Sequence, residues 1–286
     1  MNIKTVLKRS EAFLKKNNIS NPRLDAEVLL SDLLDMERIK LYVNYDYPLT
    51  EKELNEYRKR IVKRGDHIPV AYITGHKEFM SLDIAVNKKV LLPRPETELL
   101  VEKIIDWCKE KELESPNIVD VGTGSGAILV SLGYYIKKAK ILGIDISQEA
   151  LEIARKNIKK HEMQERLKVI QGDLLKPLLK MNKTNVDVVV SNPPYIKKEK
   201  METLPPEVKK EPDLALNGGK DGVEIYKKLI PQAFQVLKEN GFLILEIGED
   251  QGEMLKNLLQ KNKWHQIEIK KDYADKERIV MALKRS

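Results

Sequence analysis

From residue 117 onward, apolar runs of strand length alternate with amphipathic stretches of helix length. This alternation constrains the fold more than any other feature of the 286-residue chain. Strands are predicted at Asn117–Val121, Lys140–Asp145, Leu167–Gln171, Val186–Ser191 and Phe242–Ile247. Helices are predicted from the glycine turn after Val121 to about Ile136, then over Gln148–Lys160, Gly222–Lys238 and Gln251–Gln260. Such repetition packs as a mostly parallel sheet with helices on both faces. Two last strands, Trp264–Lys270 and Arg278–Leu283, follow without an intervening helix. The expected fold is therefore a doubly wound α/β sheet of seven strands with an antiparallel end.

The segment before it has another period. Between residue 3 and about residue 65, Val6, Leu7, Phe13, Leu14, Leu24, Val28, Leu29, Leu33, Leu34, Leu54, Tyr57, Ile61 and Val62 recur at helical spacing. Asn21-Pro22 supplies a cap and an N1 proline, and Thr50 with Glu53 forms a capping-box pattern. A small helical domain over residues 1–75 is expected, without recognisable chemistry of its own. The stretch Pro69–Gly75 then leads into Phe79–Val86, a turn at Asn87–Lys89 and Val90–Leu92, which reads as a β-hairpin linker over residues 76–95. The α/β domain takes residues 96–286. Pro93-Arg94-Pro95-Glu96-Thr97-Glu98 opens a helix running from Thr97 to about Lys111, and is either a site wall or a rigid hinge.

Composition excludes several classes. One cysteine, Cys108, rules out an internal disulfide framework and a multi-cysteine zinc site; behind Trp107 on an amphipathic helix it reads as a structural thiol. The net charge of +7 is spread along the chain, as on a solvated surface. The most apolar window, Ile118–Ile136, holds Asp120 and several glycines, which suits a core and not a membrane span. Met1–Asn17 has no apolar signal-like region, so a cytoplasmic protein is expected. His67, His76, His161 and His265 sit in no catalytic context, and no metal is expected.

Two motifs carry chemistry. Asp120-Val121-Gly122-Thr123-Gly124-Ser125-Gly126 is a strand-to-helix glycine turn, either a tight turn or a loop that lets a ligand approach the backbone. It departs from both the dinucleotide fingerprint and the phosphate loop. Asp145, ending the second strand, stands where a doubly wound fold holds a ribose diol, so loop and carboxylate together point to an adenosine-containing ligand. Asp173 and Leu174, after the third strand, share that edge and could border the adenine. The second motif, Asn192-Pro193-Pro194-Tyr195, ends the strand Val186–Ser191. It offers an amide oxygen, a stiffened backbone carbonyl and an aromatic face, a set suited to an NH2 group; alternatively the prolines merely stop a strand. In a sheet ordered with the first and fourth strands adjacent, Asn192 lies beside whatever the glycine loop holds.

With these residues assembled, the chain resembles the class I S-adenosylmethionine-dependent methyltransferases of Rossmann-like fold. More closely it resembles the HemK/PrmC protein-glutamine N5-methyltransferases of peptide chain release factors. The similarity runs through Asn21–Glu27, Pro93–Glu98, Asp120–Ile128, Gly143–Ser147, Ser191–Ile196, Glu211-Pro212, Ala215-Leu216, Gly218–Gly222 and Glu246–Gly248, and departs at Ala274-Asp275-Lys276. It implies S-adenosyl-L-methionine as cofactor, leaving S-adenosyl-L-homocysteine, with Gly122, Thr123, Gly124, Ser125, Gly126, Asp145, Asp173, Leu174 and Asn192 around it. It implies that Asn192 and Pro193 accept the two N–H bonds of the substrate amide while Tyr195 packs on its plane; Pro194, Arg94 and Glu96 would complete the substrate side. The implied substrate is the glutamine of the Gly-Gly-Gln loop of class I release factors, modified by a monomer with no nucleic-acid or membrane partner. Asn-Pro-Pro-Tyr also occurs in enzymes that methylate amino groups of bases, so an N6-adenine or N4-cytosine nucleic-acid methyltransferase is the alternative. A cofactor-binding regulatory module is a third reading.

Overall fold

The computed structural model describes residues 1–285. They form two compact units, Met1–His76 with Pro205–Lys210, and Lys77–Leu204 with the chain from Glu211 onward.

The first unit is helical: α1 (Ile3–Lys16), α2 (Pro22–Leu33), α3 (Arg38–Val43), α4 (Glu51–Gly65) and α5 (Val70–Thr74). Leu7, Leu14, Leu29, Tyr57 and Ile61 of the predicted stripes meet in its core with Ile3, Leu30 and Leu41, whereas Phe13, Leu24 and Val62 are exposed. Thr50 and Glu53 cap α4 reciprocally. Asn21 makes no side-chain cap bond, so α2 starts on the fixed φ of Pro22 alone. The Arg64 guanidinium is buried and bonded to Asp25 Oδ2 at 2.6 Å, to the Ile68 carbonyl at 3.3 Å and to Glu207. Glu207 is how the short segment Pro205–Lys210 joins this unit.

At the start of the second unit the hairpin sits earlier than expected. Its strands are β1 (His76–Phe79) and β2 (Leu82–Ala85), turning at Met80 and Ser81, both at positive φ. Pro69–Gly75, which leads into the hairpin and belongs to the expected helical domain, holds the short helix α5, closed by Gly75 at φ 87°. Val90–Leu92 form no strand: Lys89 N–H donates to Asn87 Oδ1 at 2.9 Å, and Leu92 N–H donates to Glu211 Oε2 at 3.1 Å. A buried carboxylate thus takes the backbone donor that a partner strand would have taken.

The remaining elements are α6 (Pro95–Glu110), β3 (Asn117–Val121), α7 (Ala127–Tyr135), β4 (Lys140–Asp145), α8 (Gln148–Lys160), β5 (Leu167–Gln171), α9 (Lys176–Lys180), β6 (Val186–Ser191), α10 (Asp213–Leu216), α11 (Glu224–Val236), β7 (Leu237–Glu246), α12 (Gly252–Lys261), β8 (Trp264–Lys271) and β9 (Glu277–Lys284). Among the described residues, seven strands form one sheet in the order β5-β4-β3-β6-β7-β9-β8. The first five in that order run parallel, and β9 lies antiparallel to both β7 and β8. All six residues of β6 are buried, as its continuous valine run foretells for a strand covered on both faces. On one of those faces Tyr226, Leu229, Ile230 and Ala233 of α11 pack on Val119, Val121, Val189, Leu243 and Leu245. β7 begins at Leu237, directly after α11 and before the expected Phe242; α9 and α10 are short helices in addition to those expected. No helix among the described residues is long and apolar enough to cross a membrane.

Candidate active site

Register sets the site. Val121 of β3 pairs with Ile144 of β4 and with Ser191 of β6, so Gly122, Asp145 and Asn192 leave the sheet side by side at its carboxyl edge. The Ser191 hydroxyl donates to the Val121 carbonyl at 2.6 Å and locks the two exits together. β3 and β6 are where chain order reverses, the place where open α/β sheets bind ligands.

The loop after β3 folds over β4 through Gly122 and Thr123 N–H groups on the Ile144 carbonyl at 2.7 and 3.1 Å. Gly122, Gly124 and Gly126 all adopt positive φ, which a side chain would strain. A Cβ built on Gly122 meets no atom within 4 Å, so this backbone faces open space, whereas one on Gly126 meets Ala154 at 3.2 Å. Asp145 closes the loop by accepting from Gly124 N–H at 2.8 Å on Oδ2 and from Ser147 N–H at 2.9 Å on Oδ1. Burial pushes its carboxyl up and those N–H groups oppose the shift. Each oxygen keeps a second lone pair for a hydroxyl pair of a ligand. Beneath the loop Asp120 is fully buried, accepts from the Thr123 hydroxyl at 2.6 Å and is pushed up to about 7 by desolvation.

A cavity of about 480 Å³ opens over this edge. Gly122, Gly124, Asp145, Asp173, Leu174, Asn192, Pro193 and Pro194 line it, with Leu91, Ile146 and Leu214 among its apolar walls. Leu174 holds φ 53°, a conformation costly for a branched side chain and found here at the cavity wall. Asp173 is salt-bridged to Lys176. Thr123, Ser125 and Gly126 do not line the cavity. Thr123 is turned under the loop toward Asp120, and the Ser125 carbonyl accepts from Asn157 Nδ2 at 2.8 Å.

The tetrapeptide is clamped from behind. Gln251 Nε2 donates to the carbonyls of Tyr195 and Gly222, both at 3.1 Å, while its Oε1 accepts from Gly248 N–H. A Cβ on Gly218 would stand 2.7 Å from the Tyr195 Cα and 2.8 Å from the Pro194 carbonyl oxygen, so this strip tolerates no side chain. Asn192 Nδ2 donates to Thr97 Oγ1 at 3.2 Å, and the Thr97 hydroxyl donates to Glu246 Oε2 at 2.6 Å. Burial pushes Glu246 up to about 7, opposed by the Thr97 bond and the Arg278 charge. Tyr195 packs against the core, lies outside the cavity lining and aims its hydroxyl at Glu246 Oε1, 3.5 Å away. Burial and then the Glu246 charge push its phenol up to about 12.

Arg94 and Glu96 line no part of the cavity. Arg94 is salt-bridged to the buried Glu211, the same carboxylate that holds Leu92 N–H; Glu96 is exposed. Thr97, Glu246 and Gln251 were not singled out from sequence, although Thr97 and Glu246 lie within the matching runs. Nothing local marks them, because each acts on a residue far away in the chain.

Residues 5–75 match the PrmC N-terminal domain, and residues 113–280 match a methyltransferase domain. The chain is 37% identical over 286 residues to a release factor glutamine methyltransferase of Moorella thermoacetica, spanning 100% of this chain and 99% of that one. It is 42% identical over 283 residues to a protein of the same name from Leptospira interrogans, spanning 98% and 97%. The solved hMettl16 catalytic domain, in complex with a 3′UTR hairpin, superposes with a TM-score of 0.59 over 83% of each chain at 15% identity, a likeness of fold alone.

Proposed function

The chain belongs to the release factor glutamine methyltransferases, and from that premise we propose that the sheet-edge cavity holds S-adenosyl-L-methionine while Asn192 and Pro193 grip the glutamine amide. The protein is a methyltransferase whose substrate is a release factor. The acceptor we assign is the side-chain nitrogen of the glutamine in the Gly-Gly-Gln loop of class I factors, and the enzyme acts without a nucleic-acid substrate.

The residues present suit that cofactor. The loop backbone at Gly122 faces open space, Asp145 has lone pairs to spare for a ribose diol, and apolar walls with Asp173 and Leu174 suit a flat base. When bound, the sulfonium supplies an electrophilic methyl group. The task left to the chain is orientation and charge stabilisation, since an amide nitrogen is a poor nucleophile whose lone pair is delocalised. Asn192 Oδ1 and the Pro193 carbonyl accept the two N–H bonds, which aims the lone pair at the methyl and stabilises positive charge growing on nitrogen. The nitrogen is acidic after transfer and its proton leaves to solvent, so no general base is needed.

One observation carries this reading: Asn192 gives its Nδ2 to Thr97, which turns Oδ1 the other way as an acceptor in a residue of the cavity lining. The test offers release factor, DNA and RNA to the protein with cofactor labelled in the methyl group, using wild type and Asn192→Ala. Label is expected on a release-factor glutamine, with transfer by Asn192→Ala reduced at least about 100-fold, the usual cost of a lost orienting contact. Label on nucleic acid and never on protein would overturn the substrate, and equal transfer by Asn192→Ala would overturn the mechanism.

A further inference from the structure

We propose that Thr97, backed by Glu246, is a positioning residue that decides which end of the Asn192 amide meets the substrate. This role rests on the assignment of Asn192 as acceptor for the glutamine amide. An asparagine amide is nearly symmetric in shape, and half a turn about its last bond exchanges Oδ1 for Nδ2. Only one of the two orientations works. With Oδ1 toward the substrate the amide accepts an N–H; reversed, an NH2 group faces an NH2 group.

Three elements settle the choice. Thr97 lies in the first turn of α6, Asn192 follows β6 and Glu246 ends β7. An ionised carboxylate only accepts, so the single Thr97 proton goes to Glu246 Oε2, at 2.6 Å. Toward Asn192 the hydroxyl then offers lone pairs, and only Nδ2 satisfies them, at 3.2 Å. Thr97 is 4% exposed and Glu246 2%, so water does not substitute for either partner. The strand end carrying Glu246 is itself tied down, because the Tyr226 hydroxyl donates to the Glu246 carbonyl at 2.7 Å. The chain of donors thus runs one way, from Asn192 through Thr97 to Glu246, and leaves Oδ1 as the free end.

The test measures kcat and KM for methyl transfer to a release factor by wild type, Thr97→Val, Thr97→Ser and Asn192→Ala, with S-adenosyl-L-homocysteine affinity and melting temperature for each. Valine keeps the shape and removes the lone pairs. It is expected to lower kcat about 10- to 100-fold, the scale of a misaligned contact, while KM and cofactor affinity stay within about threefold. Serine keeps the hydroxyl and is expected to restore kcat to within about threefold of wild type. Wild-type kcat in Thr97→Val, a loss that only accompanies lower cofactor affinity or melting temperature, or a serine variant as impaired as valine would each overturn the positioning role. Unchanged transfer by Asn192→Ala would instead overturn the assignment of Asn192, so the two failures are distinguishable.

Discussion

Lowering the pH from about 8 to about 6 protonates Glu246 without changing the substrate amide, whose nitrogen does not titrate in that range. Burial is what puts the carboxyl near 7. The charged and titratable groups facing it are Glu96 of α6, Tyr195 after β6, Tyr226 of α11 and Arg278 of β9. Of these, both phenols are pushed far above the window and Arg278 stays charged. Protonated Glu246 can itself donate to Thr97, which frees the Thr97 proton to point at Asn192 and lets the amide turn over. With a carboxyl at about 7, about one-tenth remains ionised at pH 6, so kcat should fall about tenfold per unit below 7. The assay is single-turnover transfer of labelled methyl to a release factor at saturating cofactor. Glu246→Gln is the control, because a glutamine NH2 can donate to Thr97 at every pH; its rate should be low and flat.

The same carboxyl acts on stability with the opposite sign. A folded-state pKa raised from 4.5 to about 7 means that the native state binds the proton more tightly. That contribution is present in full below about 4.5 and is lost as pH rises through 7, at most about 3 kcal/mol. Asp120, also pushed up to about 7, adds a slope of the same sign, so Glu246→Gln should reduce the gain in stability on acidification without abolishing it. Activity therefore falls where stability rises. A flat wild-type rate between pH 8 and 6 would refute the role of Glu246, and a fall that persists in Glu246→Gln would refute it and move the titration to Asp120.

Two further outcomes follow from the local geometry. Gly126→Ala, strained at positive φ and 3.2 Å from Ala154, should cost more stability in denaturant titration than Gly122→Ala, by about 1 kcal/mol, while Gly122→Ala should weaken cofactor binding more in calorimetry. Arg94→Ala should lower stability by about 2 to 3 kcal/mol, because it strands the Glu211 carboxylate, whose side chain is 1% exposed; Arg94→Ala combined with Glu211→Gln should recover part of that loss, and thermal denaturation of both reads it.

Local sequence carried the repeating elements well, and it carried the two motifs. Valines at every position but two of β6 say that the strand is covered on both faces, and glycines at residues 122, 124 and 126 say that the backbone turns left. What local sequence could not carry is pairing across distance. The Arg94–Glu211 salt bridge joins residues remote in the chain, and Val90–Leu92 reads as a strand because the carboxylate that satisfies Leu92 is equally remote. Tyr195, which the resemblance places on the substrate amide, is positioned by core packing of its side chain and by a hydroxyl 3.5 Å from Glu246 Oε1, a residue remote in the chain. Thr97 carried no signal of its own: on a helix it reads as an early-turn residue, and its meaning comes only from the ends of β6 and β7.

The acceptor pair proposed above accounts for the choice of an NH2 group and not for which one. A glutamine amide and the amino group of a base both present two N–H bonds in a plane, so Asn192 and Pro193 in that role would treat them alike. Discrimination must lie in groups that bind the rest of the substrate. A nucleic-acid reader needs cations free to meet phosphates. In the helical unit Arg23 is bound to Glu11 and Glu27, Arg38 to Glu27, Arg60 to Asp32, and Arg64 to Asp25 and Glu207. Guanidinium groups paired with carboxylates of their own unit in this way serve the packing of the helical fold itself. The net charge of +7 is spread along the chain, as on a solvated surface, so the assignment of a release factor as substrate rests on the family and not on charge.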